Sequence, residues 1–250
     1  MTRTTFFPGW YDAHWRRRTT LLLPAALSGA VASPSVPAAA VQADAVDLLL
    51  VLAVDASGSI DADEFRLQRE GCAGALVQPA VLAAVASQPL GAIGVALVEW
   101  GSPGGAATVV DWHRVDGAAS AERLARAVLD APRSPQSWNA IGDAVDHAVG
   151  LIAVAPWRAG RKVIDVSGDG PDLRGLRPVE AARHDAAARG ITVNALAIEG
   201  ARPGLGAIYE ASVIAGEGAC VATAHSRADF ARALRAKLVR EIARPGSGPP

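Results

Sequence analysis

Apolar positions along the chain alternate between two patterns. One is short continuous apolar runs; the other is stretches with apolar residues three and four apart. Val46 to Val54 is nearly unbroken in Val, Leu and Ala, as expected of a strand covered on both faces. After Ser59 the pattern turns helical, with Asp61 as N-cap and Glu64 completing a capping box, and the helix runs to about Gln78. Pro79 ends it and opens a second short helix through Val81, Leu82 and Val85. Residues 91–100 read as a strand, and Gly101-Ser102-Pro103-Gly104-Gly105 turns the chain back into Ala107–Trp112, so those two strands are antiparallel.

Helices over about 119–129 and 140–153 follow, then a strand over 162–167, a helix over 179–189, a strand over 191–198, a short helix over 206–214 and an edge strand over 219–222. The last helix spans Ser226 to Ile242, capped by Ser226 with Asp229, and carries Phe230, Leu234, Leu238 and Ile242 on one face. Repeated strand–helix units with continuously apolar strands predict an α/β, doubly wound, mostly parallel six-stranded sheet with one antiparallel edge strand and helices on both faces. Ligands of such sheets bind outside the carboxyl ends of the strands.

Composition narrows the picture. The chain has 250 residues, half of them hydrophobic, enough for one large core, and its net charge of −1 argues against a nucleic-acid surface. Residues 1–43 read as an export signal and linker: Arg16-Arg17-Arg18 precede an apolar run, and Ala38-Ala39-Ala40 and Val41-Gln42-Ala43 offer cleavage sites. That run, about 14 residues with a proline, is too short for a comfortable bilayer span. The expected product is an exported monomer, periplasmic or extracellular, without an integral membrane segment. It comprises a domain over residues 44–243 and a disordered tail over 244–250. Cys72 and Cys220 either pair in that oxidising compartment or stay as two small buried residues.

The candidate chemistry sits at strand ends. Asp55-Ala56-Ser57-Gly58-Ser59 puts an acid and two hydroxyls on alternate positions after the first strand, and a bend at Gly58 would turn their oxygens toward one point. Asp169 follows the 162–167 strand in Val166-Ser167-Gly168-Asp169-Gly170. Oxygen donors of this kind suit a hard divalent cation, Mg²⁺ before Mn²⁺ or Ca²⁺. Asp165, inside the strand, reads as structural, a buried carboxylate that needs donors or a proton.

These residues resemble the von Willebrand factor A fold and its metal-ion-dependent adhesion site, in a bacterial exported branch described as a domain of unknown function. In that family a D-x-S-x-S loop follows the first strand, a Thr comes from a central loop, and an Asp follows the fourth strand. Asp55, Ser57, Ser59 and Asp169 match. At the Thr position this chain has Asn139, whose carbonyl can ligate the same ions with its NH₂ turned away. The resemblance implies a metal-dependent interaction module that takes a partner protein's carboxylate at the ion's open position. It also implies, from some relatives, a closing helix that slides with site occupancy. Trp138 is a candidate anchor beside the metal, whereas Trp100 and Trp112 are expected to cover the antiparallel edge. The alternatives are a Mg²⁺-dependent hydrolase and a metal-free scaffold. The chain carries no phosphate-binding loop, H-E-x-x-H or G-x-S-x-G motif, and its histidines are scattered, with His147 and His184 in predicted helices.

Overall fold

A computed structural model describes residues 44–200 and 202–244. Residues 1–43, expected to be an export signal and linker, and residues 245–250 of the expected tail lie outside the described residues.

The strands are β1 (Ala45–Asp55), β2 (Ile93–Trp100), β3 (Ala107–Val115), β4 (Arg158–Gly168), β5 (Thr192–Ile198) and β6 (Val221–Ala224). The helices are α1 (Ala62–Leu76), α2 (Pro79–Ala86), α3 (Ala118–Asp130), α4 (Ile141–Ala153), α5 (Val179–Ala188), α6 (Leu205–Ser212) and α7 (Arg227–Ile242). One six-stranded sheet runs in the order β3-β2-β1-β4-β5-β6. Among the described residues, β3 is the one strand antiparallel to its neighbour. This is the doubly wound architecture expected from the apolar runs.

The pleat of β1 sorts the core into two layers. Leu48, Leu50, Leu52 and Val54 face a cluster built with α1, α2, α3 and α7, while Leu49, Val51 and Ala53 face one built with α4, α5 and α6. Burial on both faces is why the run lacks polar alternation. All four apolar positions expected on α7, Phe230, Leu234, Leu238 and Ile242, are buried. Both expected caps form: Asp61 accepts from the Glu64 N–H at 2.8 Å while its own N–H donates to the Glu64 carboxylate, and Ser226 Oγ accepts from the Asp229 N–H at 3.3 Å.

The structure differs from the sequence reading in several places. Strand β4 begins at Arg158, four residues before the apolar run, because Arg158 and Ala159 pair with Ala45 and Val46. The last strand lies two residues later than expected, with Val221 paired to Ala195. Trp112 half-covers the core near the edge, but Trp100 is fully buried: its register opposite Asp55 turns the ring beneath the strand ends rather than over the edge. Cys72 and Cys220 are both free, the first buried in α1 with its thiol pushed up to about 12 by burial, the second half-buried before β6.

Helix α4 meets the β4–α5 loop at Gly142, where a Cβ would lie 2.2 Å from the Arg177 carbonyl oxygen and 3.0 Å from the Val179 nitrogen. Backbone cannot yield as a flexible side chain does, so Gly142→Ala is expected to cost about 1–3 kcal/mol by overpacking, read as a lower denaturation midpoint.

Candidate functional site

The order β2-β1-β4 makes the β1/β4 boundary a topological switch point, where connections leave in opposite directions and a crevice opens at the carboxyl ends. Asp55 ends β1 there and Asp169 directly follows β4.

Asp55 is fully buried. Its Oδ1 accepts the Ser57 N–H at 2.8 Å, and its Oδ2 faces the Asp169 N–H at 3.5 Å. Burial pushes its pKa up to about 7; the Ser57 hydrogen bonds hold it back and the Asp169 charge adds to the rise. Ser57 Oγ and Ser59 Oγ lie 3.2 Å apart. The first loop thus gathers a carboxylate and two hydroxyls. Gly58 contributes differently from the sequence expectation. Its backbone is not left-handed; what matters is close approach, since a Cβ there would lie 3.2 Å from the Ser137 carbonyl, which accepts the Gly58 N–H at 3.1 Å.

Asn139 is buried in the loop before α4, and its backbone carbonyl oxygen accepts the N–H groups of Leu173 (2.8 Å) and Arg174 (3.3 Å). Its side-chain amide lies against Gly170, where a Cβ would come 2.3 Å from Nδ2, and it makes no hydrogen bond among the described residues. Asn139 and the Asp169-Gly170 turn are therefore direct neighbours, and Asp55 reaches the same turn through the Asp169 backbone. Ser137 is committed elsewhere, its hydroxyl 3.1 Å from that of Ser102.

Several groups that shape this region were not singled out in the sequence. Arg227, in the first turn of α7, lies 2.5 Å from Asp169 Oδ2 and 2.9 Å from Glu64 Oε1. Gln68 of α1 donates to the Asp55 carbonyl at 2.6 Å. Arg133 donates to the carbonyls of Ala56, Ser57 and Ile60, drawing the first loop closed. The buried pair Arg69–Glu99, at 2.6 Å, anchors the central loop, because Glu99 also accepts the Ser134 N–H at 2.7 Å. Tyr209 donates to the Gly170 carbonyl at 2.8 Å, with its hydroxyl pKa raised by burial and by the charges of Asp55, Asp169 and Asp172. Asp172 accepts the Ile141 N–H at 2.7 Å, capping α4 from a distant loop, and burial raises its pKa. Local motifs give no signal for these pairings, which span tens of residues.

Among the described residues no three His, Cys, Asp or Glu side chains converge on a common metal position. A cation here would depend on two carboxylates plus hydroxyl and amide oxygens. That all-oxygen set fits Mg²⁺, Mn²⁺ or Ca²⁺ and not a soft metal. The histidines stand apart from these loops: His147 pairs with the Thr108 hydroxyl at 2.9 Å and His113 with the Asp111 carbonyl at 2.8 Å.

The profile of the family described as Protein of unknown function (DUF1194) matches residues 45–246. The chain belongs to the DUF1194 family. No curated protein matches this DUF1194 chain significantly. Three solved structures show its fold. Proximal thread matrix protein 1 (PTMP1) from the mussel byssus, with a zinc-occupied MIDAS motif, is 16% identical with a TM-score of 0.56, the match covering 81% of this chain and 48% of that one. The pilus adhesin SpaC from Lactobacillus rhamnosus GG is 15% identical with a TM-score of 0.59, covering 80% and 31%. The vWF domain of the type V pili tip protein Mfa5 from Porphyromonas gingivalis is 13% identical with a TM-score of 0.52, covering 80% and 98%. The DUF1194 chain therefore has the von Willebrand factor A fold, and it spans about half the length of the mussel protein. Among the described residues no helix is long and apolar enough to cross a membrane.

Proposed function

We propose that this DUF1194 chain is an exported, metal-dependent protein-interaction module of adhesion type. Asp55, Ser57, Ser59, Asn139 and Asp169 would hold Mg²⁺, or Mn²⁺ or Ca²⁺ in its place. When bound, the ion supplies an open coordination position that attracts a carboxylate of a partner protein. The observation that carries the reading is the approach of the Ser57 and Ser59 hydroxyls to 3.2 Å beside the buried Asp55 carboxylate, whose far oxygen faces the Asp169 backbone. The solved neighbours lend support, since one has a zinc-occupied MIDAS motif and another is a pilus adhesin. Export to the cell envelope or beyond agrees with the pilus neighbours and with the basic-then-apolar N-terminus.

The chain's own residues prepare the site. Arg133 and Gln68 fix the backbone of the Asp55 loop, and the Ser57 N–H holds the Asp55 carboxylate in place. Tyr209 and Asn139 pack the Asp169-Gly170 turn from two sides.

One observation favours the second reading, a metal-free scaffold: Arg227 already supplies a positive charge to Asp169. Calorimetry with Mg²⁺ and Mn²⁺ separates the two. Saturable binding is expected for the native protein and its loss for Asp55→Ala; equal, negligible heats in both would leave only the scaffold.

A further inference from the structure

Three large apolar side chains stand exposed around this site: Trp138 at 49%, Leu173 at 59% and Leu176 at 78%. The backbone of the two leucines is held in place. The Leu173 N–H donates to the Asn139 carbonyl at 2.8 Å, and the Asp143 carboxylate accepts the N–H groups of Gly104 (2.7 Å), Leu176 (2.9 Å) and Arg177 (3.1 Å). Asp143 thereby ties the β2–β3 turn and the β4–α5 loop to the start of α4. Leu176 leans on Gly104, where a Cβ would meet its Cδ1 at 3.0 Å. The Arg174 guanidinium lies over the Trp138 ring, 4.5 Å from the centroid.

Two features of this rim point to what covers it. Apolar area left in water is unfavourable, and exposed apolar residues rimmed by polar groups mark interaction surfaces. The acids of this rim are already engaged, Asp169 by Arg227 and Asp143 and Asp172 by backbone N–H groups, whereas Arg174 lies on the rim and Arg202 approaches Gly170. A guanidinium-bearing apolar rim complements a ligand that is acidic and apolar at once.

We propose that Trp138, Leu173, Leu176 and Arg174 form the docking surface for a protein segment in which an Asp or Glu adjoins a large apolar side chain. The apolar side chain packs on Trp138 and the leucines while the carboxylate turns toward the cation site. The carboxylate half of this proposal rests on the metal reading; the apolar half does not.

The test is selection of random short displayed peptides on the full chain in Mg²⁺, with recovered peptides then titrated against Trp138→Ser/Leu176→Ser and against Asp55→Ala. Enriched peptides are expected to pair an acid with Leu, Phe or Trp. The double surface variant should weaken them about tenfold or more with its melting temperature unchanged, both side chains being largely in solvent. Acid-only peptides, or equal binding to the double variant, overturn the proposal. If chelator and Asp55→Ala leave binding intact while the double variant abolishes it, the metal reading and the carboxylate half fall and the apolar rim stands. Binding to anionic lipid vesicles, lost in the same double variant, overturns the proposal in favour of a membrane surface.

Discussion

Lys237→Met is expected to destabilise the fold by about 3–5 kcal/mol, the cost of leaving buried carboxylates without their cation. Lys237 is fully buried on α7, with Nζ 2.6 Å from Asp165 Oδ1 and paired to Glu241 one turn on. Glu241 also accepts from the Asn194 amide at 2.6 Å, and Asn194 in turn accepts the Cys220 N–H at 2.9 Å. Burial lowers the Lys237 pKa, but Asp165 and Glu241 outweigh it and hold the ammonium above its ordinary range. Denaturant titration checks the loss. Lys237→Met combined with Asp165→Leu and Glu241→Met should recover most of it, because apolar side chains of similar volume can replace a buried ion network. A midpoint unmoved in the single variant would show that the cluster carries no stability.

The same cluster sets a pH dependence. Burial pushes the Glu241 carboxyl up from 4.5 to about 7 against the pull of Lys237, so the folded state holds this proton more tightly than the unfolded chain does. Its contribution is full below 4.5 and is lost as pH rises through 7, at up to about 1.4 kcal/mol per pH unit. Glu241→Gln should flatten that slope.

Arg227→Gln is expected to tighten Mn²⁺ binding about tenfold, in line with the roughly 1.5–3 kcal/mol of a hydrogen bond to a charged group. Arg227 is largely buried and lies between Asp169 and Glu64, with a third, longer contact to Gln68 at 3.4 Å. A divalent cation at Asp169 would meet that guanidinium as a competitor for carboxylate oxygen and as a like charge. Removing it should loosen the metal-free protein and favour the metal-bound one. Titration calorimetry of native and variant protein reads the difference, and equal affinities would show that arginine and cation use different oxygens of Asp169.

How far the sequence reaches can be judged residue by residue. The apolar run of β1, the capping box at Asp61 and the Phe230–Ile242 face of α7 are local patterns, and each lies where its period puts it. The D-x-S-x-S loop was legible for the same reason, since three donors within five residues must sit near one another. Lys237 was not singled out, although its spacing of seven from Phe230 and three from Leu234 puts it on the buried face; what the period could not give is its partner, Asp165 across from it on β4. The cap of α4 was hidden likewise, coming from Asp172 rather than from a residue before the helix.

By itself, then, the sequence determined the order of strands and helices, the burial of β1 on both faces and the presence of oxygen donors at two strand ends. Tertiary structure alone decided that Arg227 sits on Asp169, that Trp100 lies beneath the site, and that Trp138, Leu173 and Leu176 share its rim. Periodicity encodes which face of an element is apolar. Which polar groups meet across the core depends on sheet register and helix packing, and those are set by the whole chain at once.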